Sequence, residues 1–387
     1  MSLRVSGTRG GVRLWHAVER SREQGSETPW IIPSPDFVIL GPLMKRMISL
    51  FPTLLLVLLL AACSEPARKH HQDIYIFGTV MGVTLWAQDD AQAAAAFTSL
   101  QQRFQGMHRD WHAWNPGLLT RVNAAFAAGK RVEANDEIVE MIRRSQTIEA
   151  ATGGRFNPAI GQLIGMWGFH TSEYPIMGPP PSEEAIAALV ALAPSSREIE
   201  IEGTALFSKN PAVQLDFGGV AKGYAVDIAS AMLREQGIEN AIINAGGDLR
   251  AIGSHGDRPW KIAVRAPGGG VIGSLETGPD ESVFTSGVYE RFRQENEQRY
   301  PHILDPRTGW PVQDLASVTV IADEGLLADA AATALTVAGR EDWADVARTL
   351  GLDQVMIVDE SGKVYMTQRM SQRIELLEDT DFEVADF

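Results

Sequence analysis

Apolar positions along the chain recur with two periods, and the alternation between them sets out most of the fold. "DIYIFGTVMGVTLWAQ", residues 73–88, alternates apolar and polar side chains and is rich in β-branched and aromatic residues, which predicts two short strands or one strand bent at Gly78. Alanine, phenylalanine and leucine then recur at helical spacing over 91–109, and a second helix is predicted over 137–151, ended by Gly153 and Gly154. A helix over 183–192 comes next, then a hairpin in "EIEIEGTALFSK" turning at Gly203-Thr204, and a strand in "AVQLDF" ending at Asp216. A helix after Gly219 runs to about Gln236 and feeds a strand "NAIINAG" with a "GGDL" turn. Strands in "WKIAVRAP", "ESVFTSGVYERF" and "LASVTVIA", helices over 326–338 and 343–350, and strands in "QVMIVDE" and "KVYMT" complete the pattern. Local hairpins mixed with helix-separated strands predict an α+β fold with a mixed or largely antiparallel central sheet and flanking helices.

One apolar run fits neither period. "MKRMISLFPTLLLVLLLAACSEP", residues 44–66, places Lys45 and Arg46 before an apolar stretch and a small-residue pair before Cys63, in the order of an export signal. A buried helix or a membrane span are the alternatives, but the uninterrupted core over 54–62 is short against the roughly 20 residues a span needs. Cys63 is the only cysteine, so no disulfide can form within the chain. Leu60-Ala61-Ala62-Cys63 resembles the closing motif of a bacterial lipoprotein signal, which implies acyl groups such as palmitate on Cys63, cleavage before it, and tethering on the periplasmic side of a membrane. Ser64 resembles outer-membrane more than inner-membrane lipoproteins. Residues 1–43 show no sustained period and are expected to be an upstream misassignment of the start, with Met44 or Met47 the first residue; a genuine extension is the alternative. The expected organisation is a signal over 44–62, a tether over 63–71, one domain over 72–374, and a solvated acidic tail over 375–387.

Charge narrows the function classes. The chain carries a net charge of −15, and residues 1–62 hold more basic than acidic groups, so the chain from Cys63 onward is more acidic still. No basic patch offers a footprint for nucleic acid.

Four clusters could carry chemistry. In "LDFGGVAKGYAVD", Asp216 ends a predicted strand, Gly218 and Gly219 permit a tight turn, and Lys222 falls in the first turn of a helix. Unpaired N–H groups and an ammonium there suit a phosphate or pyrophosphate, although a plain turn and cap would read the same way. In "GLLADAAATALTVAG", Asp329 and Thr333 are four apart and share a helix face, hard oxygen donors of the kind magnesium takes; a carboxylate facing the helix start and a back-bonded threonine are the structural alternative. In "YPHILDPRTGWPV", Asp305 to Gly309 make a turn by their own chemistry, to which His302 and Arg307 are unnecessary and therefore candidates for ligand contact. "NAGGDL" and "TSGVYERF" place Gly246, Gly247, Asp248, Ser286 and Gly287 at strand ends.

Together and in this order, these segments resemble the ApbE family of flavin transferases. Met81-Gly82, Phe156-Asn157-Pro158, Trp167-Gly168-Phe169, Asp216 with Gly218-Gly219, Ala221 to Tyr224, Gly246 to Asp248, Ser286-Gly287, His302 to Gly309, and Ala328-Asp329 with Thr333 carry the resemblance. It implies an enzyme that uses FAD and magnesium to attach FMN through a phosphoester to a threonine or serine of a client flavoprotein, releasing AMP. Clients known for the family belong to the sodium-pumping NADH:quinone reductase and the Rnf electron-transport complex. The resemblance implies Asp329, Thr333 and the Ala221 carbonyl as magnesium ligands. It implies Lys222, Gly218, Gly219 and Asp216 beside the FAD phosphates and ribose, and Met81, Gly82, Gly246, Gly247, Asp248, Ser286 and Gly287 in the nucleotide cleft. His302 and Arg307 would face the phosphate end. Asp329, His302 and Lys222 are the catalytic candidates, with Asp329 or His302 removing the hydroxyl proton. The sequence departs from the family in having Val83 where threonine is frequent and Asn157 where aspartate is frequent. A magnesium-dependent FAD pyrophosphatase would use the same cleft with water as acceptor, and a lipid-anchored flavin-binding protein is the non-enzyme alternative.

Overall fold

A computed structural model describes residues 66–385; Cys63, the signal and the upstream segment lie outside the described residues. Nine strands form the central sheet, and their order in space is their order in the chain. Strand β1 (Arg68–Ile76) and β2 (Thr79–Ala87) lead, followed by β3 (Ala241–Ala245), β4 (Asp248–Ile252), β5 (Asp280–Gly287), β6 (Leu315–Ala322), β7 (Val355–Asp359), β8 (Val364–Met366) and β9 (Phe382–Val384). Every pairing is antiparallel except β8 with β9. The fold is therefore α+β with a mixed, mainly antiparallel sheet, as the pattern predicts. The β1–β2 turn places Phe77 (φ 55°) and Gly78 (φ 69°) in the left-handed region, the two-residue geometry that matches strand twist. Phe77 is held there by packing on Phe104 and Trp111.

Side-chain alternation divides the sheet between two cores. Phe284, Val318, Val320, Val355 and Ile357 face the helical layer, whereas Val283, Ile321, Met356 and Val358 face a small sheet built from 261–265, 271–276 and 375–376. The helices are α1 (Asp90–Trp111), α2 (Leu118–Ala127), α3 (Asp136–Ala151), α4 (Gly161–Met166), α5 (Glu183–Ala191), α6 (Ala221–Glu235) and α7 (Gly325–Thr349). In α7, Gly339 (φ 71°) breaks the helical path between the two predicted segments, and a Cβ there would lie 2.6 Å from Asp314. No helix among the described residues is long and apolar enough to cross a membrane.

Several expectations are corrected. Arg68 to His71, assigned by composition to a tether, pair along β2 as part of β1. The tail is ordered to Ala385: Glu375–Leu376 join the small sheet, and Phe382–Val384 extend the large one. "AVQLDF" is no strand beyond a bridge at Gln214. Its backbone is satisfied instead by the Asn123 amide, which brackets Leu215 at 2.7 and 2.9 Å, and by the carbonyls of Pro158 and Ala159. "ESVFTSGVYERF" is two strands, since β5 stops at Gly287 and Phe292–Glu295 pairs with Gln298–Pro301. Helix α2 was not predicted.

Candidate active site

The first turn of α6 is where the predicted residues meet. Asp216 Oδ1 accepts from Gly218 N at 2.8 Å, closing the turn that enters α6, and its Oδ2 faces His170 Nε2 at 3.1 Å. Both oxygens of Asp216 are thus committed to shaping the turn. Gly219 leaves little room for a side chain, since a Cβ there would lie 3.0 Å from Thr333 Oγ1 and 3.5 Å from the Phe156 ring. Thr333 Oγ1 is in turn 3.5 Å from Ser286 Oγ at the end of β5. Lys222, in the same first turn, pairs with Asp248 Oδ2 at the start of β4, and Asp248 Oδ1 accepts from Thr285 N at 2.8 Å. Asp329 Oδ2 accepts from Gly223 N at 2.9 Å, so α7 meets α6 at the residue following Lys222.

The electrostatics follow from burial. Asp329 is buried, and desolvation pushes its carboxyl up to about 7; Lys222 and the Gly223 N–H oppose this, while Asp248 adds to it. Burial works against the Lys222 ammonium, but Asp248 and Asp329 outweigh it and hold the group above its ordinary value. Among the described residues no group of three or more His, Cys, Asp or Glu could hold a metal ion. The set named by the resemblance is of another kind, one carboxylate with a hydroxyl and a backbone carbonyl. Its hard oxygen donors fit magnesium completed by substrate oxygens.

His302 is half-buried, with a buried Nδ1 lacking a hydrogen-bond partner, and desolvation, reinforced by the Arg291 charge, lowers its pKa to about 3. It is therefore neutral at working pH, and it lies within the electrostatic influence of Lys222 and Asp216. Arg307 is engaged locally: its Nε and NH2 donate to Asp305 at 2.9 and 2.8 Å, forming a bidentate pair that braces the turn. Gly246 and Gly247 (φ 70° and 114°) make the β3–β4 turn, with Gly246 against Thr79. Met81 is buried opposite Ala245, whereas Gly82 faces Asp73 and His71. Gly287 closes β5 against the Tyr289 ring.

Sequence reasoning gave no role to His170, Arg250 or Asp227. The last two form a partly buried ion pair, Arg250 NH1 to Asp227 Oδ1 at 2.7 Å. A signal was available: Gly-x-x-x-Asp occurs at 223–227 and again at 325–329.

Comparison with known proteins places most of the described residues in one family. Residues 77–356 match the model of the ApbE family. The FAD:protein FMN transferase of Rhodobacter capsulatus is 41% identical over 319 residues, 81% of this chain, and the chain spans 60% of that relative's length. The FAD:protein FMN transferase of Vibrio cholerae is 29% identical over 318 residues, 80% of this chain and 94% of the relative. The crystal structure of the ApbE protein from Thermotoga maritima superposes with a TM-score of 0.71 at 28% identity, covering 79% of this chain and 99% of that one.

Proposed function

Because this chain belongs to the ApbE family, an enzyme family, we propose that it transfers FMN from FAD to a hydroxyl of a client protein, with magnesium as cofactor. The observation that carries the reading is the convergence of Lys222, Asp248, Asp329, Thr333 and Ser286 on the glycine-framed start of α6. Support for the activity comes from the relatives named FAD:protein FMN transferase.

The chain's own groups divide the work. The Lys222 ammonium at the α6 start binds the pyrophosphate of FAD, where both its charge and the helix dipole favour an anion. Asp248 orients Lys222, and Gly219 lets the backbone approach without a side chain in the way. A client threonine or serine oxygen attacks the phosphorus of the FMN half; the new P–O bond forms as the bond to the AMP oxygen breaks, and the hydroxyl proton is released. Asp329 receives that proton at Oδ1, the oxygen not bonded to Gly223 N. His302, neutral and a weak base, donates or accepts hydrogen bonds at the phosphate end instead. Asp329, Thr333 and the Ala221 carbonyl would hold magnesium, which supplies neutralisation of the phosphate charge when bound. Positioning and charge account for the rate enhancement.

The acceptor we propose is a flavoprotein subunit of an NADH:quinone reductase or Rnf-type complex, reached from a lipid anchor at Cys63 on the periplasmic side. Incubation with FAD, magnesium and such a subunit should leave yellow fluorescence on the denatured client. Free FMN with no labelled client would overturn transfer in favour of hydrolysis. Mass spectrometry of the mature amino terminus should find an acylated Cys63, and an intact peptide running through residues 44–66 would overturn the anchor.

A further inference from the structure

Two helix starts exchange their capping groups. Gly223 precedes Asp227 by four residues on α6, and Gly325 precedes Asp329 by four on α7. Each aspartate caps the other helix. Asp329 accepts from Gly223 N at 2.9 Å, while Asp227 Oδ1 accepts from Gly325 N at 2.8 Å and its Oδ2 from Leu326 N at 2.9 Å. Neither helix has a side-chain cap from its own N-cap residue, Val220 or Glu324, so these carboxylates satisfy donors that would otherwise lack an acceptor. The exchange depends on glycine. A Cβ on Gly223 would fall 2.1 Å from the Gly325 carbonyl oxygen, and one on Gly325 would fall 2.6 Å from that of Gly223.

The two halves of the exchange differ in what lies beyond them. Asp329 meets Lys222 and the candidate reaction centre. Asp227 meets Arg250, whose NH1 donates to it at 2.7 Å and to Ser282 Oγ at 3.2 Å, and whose NH2 donates to Asp280 at 2.7 Å. Arg250 sits on β4 two residues after Asp248, so both side chains leave the same face of the strand toward α6. One short strand thus grips α6 twice, by Asp248 on Lys222 and by Arg250 on Asp227.

We infer that Asp227 and Arg250 are positioning residues that lock the first turn of α7 onto α6 and so hold Asp329 and Thr333 opposite Gly223 and Ser286. The catalytic consequence rests on the flavin-transfer reading; the mechanical coupling does not.

Backbone hydrogen exchange and FAD turnover on the purified full chain separate the two. Asp227→Asn keeps the shape but leaves one of the two α7 donors facing an amide NH2. Exchange should rise about tenfold in the peptide covering 325–328 and also in that covering 221–225, the size of losing one cap. The kcat for FAD consumption should fall at least tenfold, with KM changed by less than about threefold, because Asp227 touches no substrate. Glu324→Gln removes a carboxylate, paired with Arg144 at the exposed surface, from the same helix end while leaving both Asp227 acceptors in place, and should move neither readout. If Asp227→Asn does not fold, Arg250→Lys, which keeps the charge but loses the fork, must show the same paired changes at smaller size. Exchange confined to 325–328, or an unchanged kcat, would overturn the inference. Should wild type fail to consume FAD, the exchange readout decides alone: a paired rise supports the coupling and an isolated one refutes it.

Discussion

Replacing Asp329 by asparagine should stabilise the metal-free protein at alkaline pH while abolishing its activity. Burial raises this carboxyl from 3.8 to about 7, so ionising it in the native state costs about 4 kcal/mol at about 1.4 kcal/mol per pKa unit. The sign follows from proton binding. Between 3.8 and about 7 the native carboxyl keeps a proton that the unfolded one has lost, so wild-type stability falls as pH rises through that window and the loss is constant above it. The amide cannot ionise, and its oxygen can still accept from Gly223 N. Urea unfolding in the presence of chelator, at pH 5 and pH 8, should therefore show the variant gaining on wild type by about 2–3 kcal/mol between the two pH values. Added magnesium should raise the wild-type midpoint at pH 8 and leave that of Asp329→Asn unmoved. FAD turnover in the variant should drop at least 100-fold. A stability gap that is the same at both pH values would refute the claim that an ionised carboxylate is held in a desolvated site at a cost in stability.

Gly223→Ala should lower stability by at least about 1–3 kcal/mol, since its Cβ would lie 2.1 Å from a backbone oxygen; an unchanged unfolding midpoint would show that the helix crossing is looser than described. Lys222→Met should leave Asp248 buried and unpaired, costing about 3–5 kcal/mol, and the same variant should reduce FAD turnover at least 100-fold in a steady-state assay. His302, lowered to about 3, stays neutral in the native state while the unfolded histidine gains a proton below about 6.5. Wild type should consequently lose stability as pH falls below that value, and His302→Gln should make the loss shallower in a pH series of melting curves.

Strand positions were legible where buried and less buried side chains alternate, as in β2, because alternation then survives in the sequence. Residues 213–217 misled for a physical reason. They are apolar and buried like a strand, yet a single asparagine 92 residues away takes up the Leu215 amide and carbonyl, and no periodicity reports a partner of that kind. The end of the chain misled in the opposite direction, since Phe382 and Val384 pair through their backbones inside a segment whose side chains are mostly acidic. At the site, Asp329 with Thr333 and the turn before Lys222 were readable from spacing and from the family resemblance. The role of Asp227 was not, because a carboxylate four residues after a glycine looks the same whether it caps a second helix or faces solvent. Arg307 looked free in the sequence, but its neighbour Asp305 takes the Nε and NH2 edge of its guanidinium.

The sheet order carries a consequence for the chain as it is made. Strand β2 finds its second neighbour, β3, only after about 150 further residues have been added, roughly 8–30 s of synthesis at 5–20 residues per second. Throughout that interval the first hairpin presents an open edge and an apolar face bearing Met81, Val83 and Leu85, the kind of surface that recruits stray strands. Helix α1, which comes immediately after and packs on both strands, is the first element able to shield that face on a nascent chain, and it leaves the edge itself waiting for residue 241.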